Sequence, residues 1–182
     1  MDPVEDLLYN SRTSSFLGCS MQQMWADLAV WERFLNKRHI RSLIELGTGH
    51  CGMAVFLSLQ CLNRGMNFLT CDIHRNSRLD DFVPELIGLG DHFMQADVFA
   101  SPHLVSKLQR AERPLVLFCD NGDKPREVQT LVPMLHVGDY VAVHDWGSEI
   151  GDNDMAGLAI EPVLREECEQ WASITRFWRV VG

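Results

Sequence analysis

The chain has 182 residues, 46% hydrophobic and 23% charged, with a formal net charge of −9. That length and balance describe one ordinary globular domain with a substantial core. The negative charge argues against a nucleic-acid groove, which needs a basic patch, and favours a small-molecule substrate.

Residues 1–20 are mixed and polar and read as an irregular arm. From Met21 the apolar positions Met21, Met24, Trp25, Leu28, Trp31 and Leu35 recur at helical spacing, with Asp27, Glu32 and Arg33 between them. This predicts an amphipathic helix packed on the sheet edge or over the site, its tryptophans serving as core. Residues 40–46 read as the first strand, ending in Glu45-Leu46. Glycines follow at 47, 49 and 52, and then a helix over about 51–63, stopped at Gly65. A second strand is expected over 67–74, a helix over about 78–89 and a third strand over 92–98. Ser101-Pro102 then caps a helix to about Arg110.

Residues 114–120 form the most apolar run, expected as a central strand buried on both faces. A helix over about 125–135, a turn at 137–139 and a strand over 140–145 come next. The polar loop 147–157 is long enough to serve as a lid, a helix is expected over about 160–172 and a last strand over 174–181. The acids at 152 and 154 and at 166, 167 and 169 read as solvated faces. The six cysteines are scattered without a metal-type Cys-x-x-Cys pair, and several sit in apolar runs as small hydrophobes. Neither a signal pattern nor a membrane-length apolar run is read, so reduced thiols and a cytoplasmic location are expected.

Strands alternating with helices of roughly 10–13 residues imply right-handed crossovers and an α/β, doubly wound, mainly parallel sheet. The expected division is an arm and helix over 1–39 and a ligand-binding α/β unit over 40–182, one domain in all. In such sheets ligands bind beyond the carboxyl ends of the strands. Acids stand there on five strands: Glu45, Asp72, Asp97, Asp120 and Asp145. The glycine turn suits a nucleotide cofactor, because glycine accepts positive φ and the helix start offers free N–H groups. An ordinary βα turn is the plainer reading. Gly47-x-Gly49-x-x-Gly52, with Asp72 about 20 residues on, also satisfies the dinucleotide fingerprint, so NAD competes. Three features point elsewhere: Glu45 stands where dinucleotide binders require no carboxylate, about 40 residues with a helix precede the glycine strand, and the Asp120/Asp145 pair has no obvious task in hydride transfer.

Four pieces carry a resemblance over roughly residues 16–150: Gln23-x-x-x-Asp27-Leu28, the segment 45–56, the segment 118–125 with Asp120 and Lys124, and the segment 138–145 ending in His144-Asp145. In these the chain resembles the class I S-adenosylmethionine-dependent methyltransferases, of the cephalosporin-hydroxylase and rhamnosyl O-methyltransferase type. The resemblance implies a Rossmann-like fold and methyl transfer, assisted by a divalent metal, to the oxygen of a small molecule. It places Glu45, Gly47, Thr48 and Gly49 at the methionine end of the cofactor, Asp72 on the ribose, and Asp97 with Val98 at the adenine edge, with Ile73 and Asp120 also on the cofactor side. Asp120 and Asp145 would hold Mg²⁺ or Mn²⁺.

His144 stands where the family often has a carboxylate. It is a candidate ligand or base, with a structural histidine as the alternative, and strand alternation would turn it away from Asp145. Lys124 is a general base if desolvated and otherwise a solvated lysine. Asn121 and His50 are lesser candidates. The implied partners are a small-molecule acceptor, with neither nucleic acid nor membrane, and a homo-oligomer is left open. The family's sheet closes with two strands, the last antiparallel and inserted, whereas one helix and one strand follow Asp145 here, so the inserted strand is either missing or supplied by another segment or subunit. An NAD-dependent oxidoreductase and a non-catalytic cofactor-binding module are the alternatives.

Overall fold

The computed structural model describes residues 14–76, 79 and 88–182. Residues 14–21, expected to be irregular, form a hairpin of β1 (Ser14–Phe16) and β2 (Cys19–Met21), turned by Leu17 and Gly18 at positive φ. The first helix, α1 (Trp25–Asn36), therefore starts at Trp25 rather than Met21. Met21 fits the helical stripe in one dimension, but it closes the hairpin and is buried there. Trp31 and Phe34 are fully buried, and Trp31 packs edge-on against Phe118 and Phe177 at 5.0 Å each, so it is core.

The main chain then alternates much as the periodicity indicates. It runs through β3 (Ser42–Leu46), α2 (Gly52–Arg64) and β4 (Asn67–Asp72), with Gly65 left-handed at the end of α2. The helix expected over 78–89 falls largely outside the described residues. A 3₁₀ turn (Leu89–His92) leads into β5 (Phe93–Gln95). In α3 (Pro102–Arg110) the Ser101 hydroxyl accepts from the Leu104 N–H at 3.2 Å, the expected cap. All five residues of β6 (Leu115–Cys119) are buried. After it come α4 (Lys124–Leu131) and β7 (Tyr140–Val143).

The last third departs from expectation. Residues 160–172 divide into β8 (Ile160–Val163) and a short α5 (Arg165–Gln170), separated by Leu164 at φ +56°. The chain then returns as β9 (Arg176–Val180). The sheet order is β5-β4-β3-β6-β7-β9-β8, with β9 antiparallel to both neighbours and the five strands from β5 to β7 parallel. The inserted antiparallel strand is thus present, and the expectation of an unfilled slot is corrected. Ile160, Val163, Leu164 and Cys168 mimic a helical stripe, but Pro162 lies inside it. On an edge strand proline forfeits no necessary ladder bond.

Alternation divides the core between the two faces. Leu43, Phe68, Val116, Phe118, Ala142 and Phe177 meet α1 and α2. Ile44, Leu46, Leu117, Cys119, Val143 and Trp178 meet α3 and α4. Both faces of the parallel strands are covered, which leaves the carboxyl-end rim for polar chemistry. Among the described residues no helix is long and apolar enough to cross a membrane.

Candidate active site

The rim begins where β3 turns. Gly47 has φ +95°, and its N–H donates to the Cys71 carbonyl at 2.8 Å. A Cβ there would collide with the Asp120 carbonyl and lie 2.9 Å from the Asn121 nitrogen. The end of β6 thus passes against the turn with no room for a side chain. The Gly49 N–H donates to Asp72 Oδ2 at 3.0 Å, the His74 N–H to Oδ1 at 2.9 Å, and Asn76 Nδ2 to the Gly49 carbonyl at 2.9 Å. Thr48 and Thr70 share a buried hydroxyl contact of 2.6 Å. Gly47→Ala is expected to cost roughly 2–4 kcal/mol, combining a backbone collision with a left-handed φ. Denaturant melts check this, and a loss under 1 kcal/mol (the order expected of an ordinary exposed glycine, about that size) would show that the two strand ends can separate freely.

The second half of the rim gathers Asp120, His144 and Asp145. Strand alternation would part the last two, but β7 stops at Val143 and Asp145 takes φ +58°. Both side chains then converge. His144 Nδ1 lies 3.2 Å from Asp120 Oδ1 and 3.2 Å from Asp145 Oδ2, and one ligand atom from each residue falls within 4.8 Å of the others. On the far side of the ring, Nε2 lies 3.5 Å from Oδ2 of Asp27 in α1. Asp27 is wholly buried. Its Oδ1 accepts from the Ser173 hydroxyl at 2.6 Å and from the Ile174 and Thr175 N–H groups at 3.0 Å, and its Oδ2 accepts from the Met24 N–H at 2.8 Å.

Charge is distributed unevenly here. Burial opposes charge on His144, but Asp120, Asp145 and Asp27 outweigh it and carry its pKa well above the ordinary value. Burial raises Asp120 despite His144 and Lys124, whereas the His144 hydrogen bond holds Asp145 well below the usual carboxylate range. Asp27 is lowered, since His144, Ser173 and Met24 overcome its burial.

Lys124 is neither of the residues expected. It is buried, so it is not a solvated surface lysine. Burial alone would favour the neutral amine, but hydrogen bonds to Asp145 and Glu149 reverse this and raise its pKa, so it is a poor general base. Its Nζ lies 2.8 Å from Asp145 Oδ2, 2.7 Å from Glu149 Oε2 and 3.8 Å from Asp120 Oδ1.

A cavity of about 220 Å³ joins the two halves. It is lined by the segment 20–23, the turn 47–53, Asp72, the segment 120–122, Lys124, Asp145 and Glu149. Gly47, Thr48, Gly49, Asp72, Asp120, Lys124 and Asp145 therefore meet around one space, with His144 buried behind it. The other expected residues stand elsewhere. Glu45 is fully buried beneath the turn, and among the described residues neither of its carboxyl oxygens has a hydrogen bond of normal geometry. Ile73 is exposed beside Asp72. Asp97 accepts from the Phe99 N–H at 2.9 Å and Val98 is buried in the core, both outside the cavity. A larger groove of about 510 Å³ lies at the opposite edge of β3 and β4, beside α3, away from the converging acids.

Sequence reasoning gave no role in the site to three contributors. Gln23 donates from Nε2 to Asp120 Oδ2, Glu149 pairs with Lys124, and Asp27 backs His144. Asp27 had a signal, being an acid three residues from Met24 and four from Trp31, on the stripe that faces the core. Glu149 had none, as one acid among several in a polar loop.

No protein-family model and no curated protein matches the chain. Solved structures do. CmcI-N160 in its apo form superposes with a TM-score of 0.66 at 14% identity, over 93% of this chain and 77% of its own. Its form named with SAH gives 0.64 at 15%, over 94% and 84%. The form named CmcI-D160 Mg-SAM gives 0.54 at 17%, over 72% and 57%. An RNA methyltransferase from Salinibacter ruber, in complex with S-adenosyl-L-homocysteine, gives 0.52 at 17%, over 84% and 90%. The chain has the Rossmann-like fold of the class I methyltransferases.

Proposed function

We propose that the chain transfers a methyl group from S-adenosylmethionine to an oxygen of a small molecule, with a divalent cation beside the acceptor. The observation that carries this is the single cavity in which the glycine turn and Asp72 face Asp120 and Asp145. The solved structures named with SAH and Mg-SAM support both components.

The residues present fit both groups. Gly49 has open space where a Cβ would lie, so a ligand can approach the backbone. The turn 47–49 would hold the methionine end, with Glu45 beneath it, Asp72 the ribose hydroxyls, and exposed Ile73 the adenine, bordered by Asp97 and Val98. Two carboxylates and an imidazole at Asp120, His144 and Asp145 suit Mg²⁺ or, given the nitrogen donor, Mn²⁺. The cofactor supplies an electrophilic methyl group, and the cation makes a bound hydroxyl more acidic. The protein supplies alignment and a water-poor floor. Asp145, held ionised at the cavity edge by His144, is suited to ligate the cation rather than to take up a proton. Gln23 holds Asp120, and Asp27 orients the His144 ring.

The acid cluster has no task in hydride transfer, which disfavours the NAD reading. The non-catalytic reading drew on an unfilled sheet slot, and β9 occupies that slot. The test is a thermal-shift comparison of S-adenosylhomocysteine with NAD, each with and without Mn²⁺. At about 100 times its Kd, a ligand of the folded state adds about 2.7 kcal/mol. S-adenosylhomocysteine should raise the melting temperature and Asp72→Ala should cancel the rise. Asp145→Ala should spare the rise while removing the response to Mn²⁺. Stabilisation by NAD alone would overturn the assignment.

A further inference from the structure

The cluster assigned to a divalent cation already contains a monovalent one. Lys124 Nζ is within 2.8 Å of Asp145 Oδ2, an oxygen that His144 Nδ1 also reaches at 3.2 Å, and it is 3.8 Å from Asp120 Oδ1. A divalent ion bonded to Asp120, His144 and Asp145 draws on the same carboxylates. An ammonium hydrogen-bonded to a ligand oxygen of that ion would meet it at a few ångströms in a poorly solvated site, where like charges repel strongly.

We infer that Lys124 is a resident counter-cation that competes with the divalent ion. It holds the Asp120 and Asp145 carboxylates together while no ion is bound, and it must leave Asp145 when one enters. The inference rests on the metal reading above. The placement of the lysine suits exchange. It is the first residue of α4, anchored by the Asp123 cap and Pro125, so the backbone is fixed while the four-carbon stem can swing. One acceptor, Glu149, is about half exposed in the loop after Asp145 and can move outward with the ammonium. Glu127, one turn along α4, offers another. It is fully buried, and among the described residues neither of its carboxyl oxygens has a hydrogen bond of normal geometry.

The test measures the Mn²⁺ Kd from the electron paramagnetic resonance signal of free Mn²⁺, together with melting temperatures with and without Mn²⁺. The proteins are the full wild-type chain, Lys124→Met and Glu149→Gln. Lys124→Met should melt lower than wild type without metal, regain that loss in Mn²⁺, and bind Mn²⁺ roughly tenfold or more tightly. Glu149→Gln loosens the lysine, and it should bind Mn²⁺ about two- to fivefold more tightly, although loss of a negative charge by itself would weaken binding. If Lys124→Met does not fold even in Mn²⁺, Glu149→Gln decides, and binding equal to or weaker than wild type overturns the inference. Equal Mn²⁺ affinity in wild type and Lys124→Met overturns competition but leaves the metal site standing. No Mn²⁺ binding by any variant removes the metal site and the inference together, while a retained shift with S-adenosylhomocysteine keeps the cofactor reading.

Discussion

Asp27→Ala should lower the unfolding free energy by about 3–5 kcal/mol, the range for breaking a buried charge pair from one side. The carboxylate accepts from Ser173, Ile174, Thr175 and Met24, and its second oxygen faces His144. Alanine takes that acceptor from the Met24 and Ile174 N–H groups, leaves Ser173 and Thr175 only their contacts with each other, and leaves the imidazole with one carboxylate fewer. The effect reaches across the fold, because the donors at 173–175 lead into β9, the strand between β7 and β8. Asp27→Asn retains an acceptor for the backbone N–H groups and loses the charge, so it should fall between alanine and wild type. Urea titrations of the three proteins measure this. An alanine variant within about 1 kcal/mol of wild type would mean that Asp27 anchors neither segment.

Glu45 should make the protein less stable as the pH rises from about 5 to 8. Burial, with smaller contributions from Asp120 and Asp72 and against the Thr70 hydroxyl, pushes its carboxyl from 4.5 up to about 8. The folded state then keeps a proton that the unfolded chain releases above about 4.5. Stability from this group is complete below that value and is lost as the pH climbs through 8, at up to about 1.4 kcal/mol per pH unit and on the order of 5 kcal/mol in all. Glu127, raised to about 7 mainly by burial, tilts the curve the same way. Glu45→Gln preserves the shape without the ionisation. Its stability should exceed that of wild type at pH 8 and approach it at pH 5. Parallel curves for the two proteins across that window would show that Glu45 is already ionised in the fold.

Much of this architecture can be read along the chain. The alternation of strand-like and helix-like runs, the serine–proline start of α3 and the glycine positions are local features, and local conformation follows local residues. Gly47 must be glycine whatever the ligand, because its φ and its nearness to the Asp120 backbone leave no room for a Cβ. The acids that end the strands are visible for the same reason, since strand ends in a parallel sheet share one rim. The segment 160–172 departs from its periodicity because the same apolar spacing serves an edge strand plus a short helix as well as a single helix. Only pairing with β9 distinguishes them.

Residue type and spacing thus specify most of the element order, the glycine turn and the set of acids brought to one edge, but neither the hairpin at 14–21 nor β8. Tertiary structure decided which of those groups touch. Asp27, Asp120 and His144 come from three elements, and α1 must lie across β6 and β7 before they meet. Whether Lys124 is a solvated charge or a buried partner depends on whether Asp145 turns back at its left-handed residue, and Glu45 leaves the cavity because its strand is covered by α2. Contact and solvation are properties of three-dimensional packing, and pKa follows them; residue type and spacing along a chain set only which groups are available to be packed.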